Sequence, residues 1–213
     1  MMIKPIGGVL AFLLAAVALG IAAEQVDLQH TLKGIEDRYN KVQTLQLKFT
    51  ESYTSQGRTT KEEGMLYLRK KGKMRWEYSS GKLFVSDGKV IYSYYPDEKR
   101  AEKMNMKETD DMRAPLAFLL GEVNFERDFG EYRSKAQDGG WLITALPKSD
   151  KFPYTQVTFL TAPDFSIRRL EVKLQTNDLI VFTFEGEKKN PLLSDALFQF
   201  KLPPGVELED QTR

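Results

Sequence analysis

The sequence predicts a mainly β, α+β fold: one strongly curved antiparallel sheet with an N-terminal helix and a mid-chain helix packed on one face. Three observations predict it. Apolar and polar residues alternate through much of the chain. The connections between these runs are short and carry Gly, Asp and Pro. Helical spacing is confined to two stretches.

Met1 to Ala23 has the layout of a cleaved export signal. Lys4 supplies the positive start, Val9 to Ala18 is an apolar run, and Gly20, Ala22 and Ala23 are small. Cleavage after Ala22 and after Ala23 fit equally well. A spanning helix needs about 20 apolar residues; this run is shorter, is interrupted by Gly20 and ends at Glu24 with no basic cluster behind it. The expected organisation is a leader over residues 1–23 and a single domain over 24–213, long enough for one hydrophobic core.

The domain opens with a helix. Leu28, Leu32, Ile35 and Tyr39 follow an i, i+4, i+7, i+11 spacing, while Asp27, Glu36, Asp37 and Arg38 fall elsewhere. The period then changes to two. Leu45, Leu47, Phe49 and Tyr53 alternate with polar residues, as do Met74, Trp76 and Tyr78. The same pattern returns at Val90, Tyr92 and Tyr94, at Leu170, Val172 and Leu174, and at Ile180, Phe182 and Phe184. Hairpin chemistry separates the runs: Ser55-Gln56-Gly57, Lys71-Gly72, Ser86-Asp87-Gly88-Lys89, Asp138-Gly139-Gly140 and Pro163-Asp164. Such short links require antiparallel neighbours, because a parallel crossover needs a dozen residues or more. One stretch breaks the alternation. Asp110 and Asp111, an early Pro115, then Leu116, Phe118, Leu119, Leu120 and a closing Gly121 mark a short helix, apolar on most sides.

Composition excludes several kinds of chemistry. There is no cysteine, so no lipidated cysteine, disulfide, thiolate nucleophile or thiolate metal ligand exists. The 31 Lys+Arg against 30 Asp+Glu argue against nucleic acid as a partner, since phosphate binding calls for a basic surplus. The only histidine, His30, reads as an exposed helix residue with Asp27 three positions away. No Gly-x-Ser-x-Gly elbow or nucleotide-binding glycine loop is present. Glu62 and Glu63 are adjacent on a strand and point to opposite faces. Neither an enzyme nor a cofactor or metal site is expected. Aromatic weight is what remains, with 13 Phe, 9 Tyr and 2 Trp; on composition alone such residues fill a core as readily as they line a pocket.

Three strings resemble one family. Leu66-Tyr67-Leu68-Arg69-Lys70-Lys71-Gly72-Lys73-Met74-Arg75-Trp76-Glu77-Tyr78 is similar to a LolA segment reading roughly L-W-x-x-R-P-G-x-F-R-W-x-Y. Val85-Ser86-Asp87-Gly88-Lys89, followed by Tyr92, Tyr94 and Pro96, resembles that family's V-S-D-G-K-x-x-W-x-Y-x-P. Phe198, Phe200, Pro203-Pro204-Gly205-Val206 and Asp210-Gln211 resemble its ending. Order and spacing agree across the domain.

The resemblance implies an open, unclosed β-barrel lidded by helices. It further implies a soluble periplasmic carrier, a monomer, that takes acylated lipoprotein cargo from an inner-membrane Lol ABC transporter to an outer-membrane receptor or the membrane itself. On that basis an acyl-chain cavity is expected at Met74, Trp76, Tyr78, Val85 and Tyr92, with a lid formed by Leu32, Ile35, Leu116, Leu119 and Leu120. Lys70 and Lys71 stand where the family carries Arg-Pro. Lys70 is thus the candidate lid latch, with fewer donors than an arginine fork; a solvated hairpin lysine is the other reading. The basic run 69–75 could instead meet a transporter or anionic headgroups. The competing function is a carrier or sensor of another amphiphile, such as a glycolipid, in the same cavity.

Overall fold

The computed structural model describes residues 28–106 and 124–212. Residues 28–41 form helix α1. Six strands follow as a meander: β1 (Thr44–Ser55), β2 (Arg58–Arg69), β3 (Lys73–Tyr78), β4 (Leu83–Asp87), β5 (Val90–Tyr95) and β6 (Arg100–Asn105). A single turn of helix, α2 (Phe125–Asp128), leads into β7 (Phe129–Gln137), β8 (Gly140–Pro147), β9 (Tyr154–Thr161), β10 (Ile167–Leu174) and β11 (Leu179–Lys189). A 3-10 turn at Asp195–Phe198 precedes β12 (Glu207–Asp210). The export signal expected over residues 1–23 and the mid-chain helix expected over Asp110–Gly121, with Leu116, Leu119 and Leu120, lie outside the described residues.

All twelve strands form one curved, unclosed sheet in the order β12-β6-β5-β4-β3-β2-β1-β11-β10-β9-β8-β7. The two meanders are joined by antiparallel pairing of β1 with β11. β12 adds to the free side of β6 in parallel, so β7 and β12 are the edges. The single curved sheet is what the alternation predicts, and its unclosed form is what the family resemblance implies.

Turn chemistry sets the register. Gln56 and Gly57 have φ of 49° and 77°, and Asp138 and Gly139 have 53° and 76°. Two consecutive positive φ values match the right-handed twist of the flanking strands. The first turn pairs Ser55 with Arg58, and every β1–β2 partner down to Thr44 and Arg69 follows. Gly88 has a different role: a Cβ there would lie 2.4 Å from the Lys71 carbonyl oxygen, so its absence lets two neighbouring turns touch.

The inner face of the sheet holds the core. Leu45, Leu47 and Phe49, Leu66 and Leu68, Met74, Trp76 and Tyr78, Phe84, Ile91, Val157 and Phe159, Leu170 and Val172, and Ile180, Phe182 and Phe184 belong to one buried cluster. Leu32, Ile35 and Tyr39 of α1 join it, which is how the helix hides its apolar stripe. The outer face of β3 to β5 is covered differently. Between β11 and β12 the chain crosses it, burying Phe198 and stacking Phe200 on Tyr92 with ring centroids 4.9 Å apart.

Candidate functional site

The inner face of β3 is layered. Along this strand Met74, Trp76 and Tyr78 point inward at steps of about 6.7 Å. Trp76 pairs with Leu66 on one side and Phe84 on the other. Around it lies an aromatic cluster: Phe49 meets Trp76 at 4.8 Å and Tyr78 at 4.9 Å, and Phe182 lies 5.5 Å from Trp76. Phe49 reaches this position because its cross-strand partner is Gly64, where a Cβ would lie 2.9 Å from the Phe49 ring.

Trp76 is 1% exposed, and its indole N–H has no hydrogen-bond partner; it is the one such buried side-chain atom among the described residues. Leaving a buried donor unpaired costs about 1–3 kcal/mol.

Outward from Trp76 the face turns polar. A cavity of about 270 Å³ opens at the Tyr78 end, walled by Phe84, Tyr95, Ile180 and Phe182 and rimmed by Glu51, Tyr53, Thr60, Glu62 and Lys82. Glu51 and Glu62 are direct cross-strand partners. Lys82 neutralises Glu62 through an ion pair and sits 3.9 Å from the Tyr78 ring centroid. The Tyr78 hydroxyl donates to Glu51, and that of Tyr53 donates to Asp178 at 2.8 Å. Polar rim, apolar wall and buried aromatic floor therefore follow one another along the strands.

At the opposite end of β3, polar contacts fasten α1. The Lys70 ammonium donates to the Asn40 carbonyl in the last turn of the helix, and the Lys70 N–H donates to the Gln43 carbonyl at 2.9 Å. A cation at a helix C-terminus satisfies its free carbonyls and opposes the helix dipole. Glu187 accepts from Arg38 at 3.2 Å and from the Tyr39 hydroxyl at 3.0 Å, while that hydroxyl accepts from the Ile167 N–H at 2.9 Å. Burial and then the Glu187 charge push the Tyr39 phenol well above its ordinary range. Farther up the helix, Glu36 accepts from the Phe125 N–H at 2.9 Å, tying α1 to α2.

The sites expected from sequence divide accordingly. Met74, Trp76 and Tyr78 share the inner face with the buried Leu32 and Ile35, and Lys70 touches the helix. Val85 and Tyr92 require a correction. Val85 pairs with Arg75, and Tyr92 pairs with Val85, so all three face outward, where the chain before β12 covers them. The inward residues of those strands are Phe84, Ser86, Ile91 and Ser93.

Most of the basic run has partners within the protein, and Lys71 is exposed. Arg69 binds the Leu193 carbonyl and Asp195 and lies 5.0 Å from the Phe198 ring centroid. Arg75 donates to the Leu197 carbonyl at 3.2 Å, and Lys73 lies 3.6 Å from Asp195. His30 is exposed, edge-on to Phe165. Among the described residues no cluster of His, Cys, Asp or Glu could hold a metal, and no helix is long and apolar enough to cross a membrane.

Glu51, Glu62, Lys82 and Glu187 escape a reading of the sequence. The first two were within reach: a two-residue turn at Gln56-Gly57 sets 51 opposite 62 by counting back from its ends. Glu187 carries no local signal, because its partners are about 150 positions away.

The sequence profile of one family, described as outer membrane lipoprotein carrier protein LolA, matches residues 40–201. An outer-membrane lipoprotein carrier protein of Sodalis glossinidius is 28% identical over 201 residues, spanning 92% of this chain and 93% of its own length. Another from Edwardsiella ictaluri is 28% identical over 181 residues, spanning 83% of this chain and 86% of its own. Among solved structures, an uncharacterised conserved protein from Thermus thermophilus superposes with a TM-score of 0.53 at 11% identity, spanning 86% of this chain and 99% of its own, a likeness of fold alone. With a profile match over most of its length, an apolar inner face and a helix laid upon it, the chain belongs to the LolA family.

Proposed function

We propose that this chain is a periplasmic carrier of acylated lipoproteins, accepting them from an inner-membrane Lol-type ABC transporter and delivering them to an outer-membrane receptor or the membrane. The observation that carries the reading is the inner face: one continuous apolar surface on an unclosed sheet, covered by the apolar stripe of a helix anchored through a few polar contacts. An acyl chain exposed to water costs about 0.8 kcal/mol per CH₂, so a multiply acylated cargo needs such a shelter. Burial of this kind is non-directional, and it selects the lipid rather than the polypeptide.

In this reading Met74, Trp76 and Tyr78 line the acyl site, Leu32 and Ile35 cover it with Leu116, Leu119 and Leu120 of the mid-chain segment, and Lys70 latches α1. The interior beneath α1 is packed with side chains, so seating an acyl tail there displaces the helix. The leader is removed on export, the carrier works as a monomer, and no chemical step or cofactor is involved. Depletion in the host tests the proposal: lipoproteins destined for the outer membrane should accumulate in the inner membrane within the depletion period. Their normal distribution would overturn it. Native mass spectrometry of the purified protein separates cargo types, since a retained glycolipid in place of acylated peptide would favour the amphiphile alternative.

A further inference from the structure

We propose that the Trp76 indole N–H is the donor that seats the ester carbonyl of a bound acyl chain, an assignment that rests on the carrier reading above. Trp76 is a poor choice for a purely apolar wall. Its N–H is buried among aromatic rings and unpaired, although a phenylalanine would fill such a place without stranding a donor. Buried indoles ordinarily find an acceptor. The missing acceptor is then one that arrives with the ligand.

Position along β3 says which acceptor it is. Tyr78, one layer outward, borders the cavity whose rim carries Glu51, Glu62 and Lys82. Met74, one layer inward, lies toward the turn where Lys70 holds the end of α1. A molecule entering from the rim with its hydrocarbon ahead presents three zones in the same order: a polar head, a linkage, then an apolar tail. Trp76 stands at the linkage. The Phe182 ring that walls the cavity lies 5.5 Å from the indole, so a shift of that ring joins the cavity to the N–H. An ester carbonyl is an acceptor with no donor of its own, brings no charge, and carries an alkyl chain directly behind it. Specificity follows from the same physics: a buried donor rejects a ligand that cannot pair it.

The test compares two synthetic probes with the full chain, a dipalmitoyl-glyceryl-cysteine peptide and its dialkyl ether analogue, which lacks both ester carbonyls. Wild type should bind the diester about tenfold more tightly than the diether. Trp76→Phe should bring the two affinities together. The chain has two tryptophans, so the wild-type protein offers a readout independent of any variant. In a ¹⁵N-labelled sample the Trp76 indole proton should move downfield with the diester and not with the diether, while Trp141 serves as the internal reference. Equal affinities in wild type, or an indole resonance indifferent to the carbonyls, would overturn the assignment and leave the carrier reading intact. An N-acylated diether that restores tight, Trp76-dependent binding would also overturn it, by moving the acceptor to the amide. Failure of both probes to bind saturably would defeat the carrier reading itself, and with it this inference.

Discussion

Replacing Lys70 with methionine should loosen α1 without unfolding the sheet. The substitution keeps the length and apolar stem of the side chain but removes the ammonium that caps the Asn40 carbonyl. A cation in the last turn of a helix contributes about 0.3–1 kcal/mol, and a hydrogen bond to a charged group about 1.5–3 kcal/mol when it is partly shielded. Lys70 is half-buried, which places the loss at about 1–2 kcal/mol and raises the opened fraction of α1 about 5–30-fold. The absence of cysteine provides a clean assay. Ile35 is wholly buried under the sheet, so a lone Ile35→Cys reacts with a thiol reagent only when α1 lifts. The labelling rate should rise by the stated factor in Ile35→Cys/Lys70→Met, with a smaller change in the global urea midpoint. Lys70→Arg should restore slow labelling, because a guanidinium reaches the same carbonyl and adds donors. Identical labelling rates with and without the ammonium would refute the idea that this residue holds the helix.

Two further outcomes follow from the contacts around the sheet. The phenol of Tyr39 is raised first by burial and then by Glu187, so its protonated form stabilises the fold below the unfolded value near pH 10 and that contribution is lost as pH rises toward the folded value. Tyr39→Phe should therefore lower stability at pH 7 by about 1–2 kcal/mol and flatten the alkaline decline by up to about 1.4 kcal/mol per pH unit, as read from urea midpoints across pH 9–11; an unchanged slope would remove Tyr39 from the linkage. Phe198→Ala should cost about 3–5 kcal/mol and expose the chain before β12 to limited proteolysis, because Phe198 is buried on the outer face under Arg69; a resistant, equally stable variant would show that this segment is held by its arginine contacts alone.

Much of the architecture is legible because short turns dictate pairing. Gln56-Gly57 and Asp138-Gly139 each specify a two-residue hairpin, and the structure places a strand pair on both sides of each. The β1 helix-to-strand change of period is equally clear, since α1 ends at residue 41 and β1 begins at Thr44. Strands such as β7, with the sequence FGEYRSKAQ, offer little alternation. They form because an edge needs only one partner and tolerates a polar outer surface.

The site was half legible, and the reason lies in the two faces of one strand group. Periodicity says that neighbours alternate; it does not say which set faces inward. On β3 the matter settles itself, because Met74, Trp76 and Tyr78 alternate with Lys73, Arg75 and Glu77. On β4 and β5 both sets are apolar: Phe84 and Ile91 point inward, while Val85, Tyr92 and Tyr94 point outward. The outer set exists because a remote segment needs it, and Phe200 stacks on Tyr92 only after the chain has crossed from β11 to β12. Registering β4 against β3 resolves the ambiguity, since cross-strand partners share a face and Val85 opposes Arg75 rather than Trp76. A motif that joins Val85 to Tyr92 therefore records the docking of the C-terminal crossing, and the motif that joins Met74 to Tyr78 records the interior. Two strings that look alike in one dimension stabilise opposite sides of the same sheet.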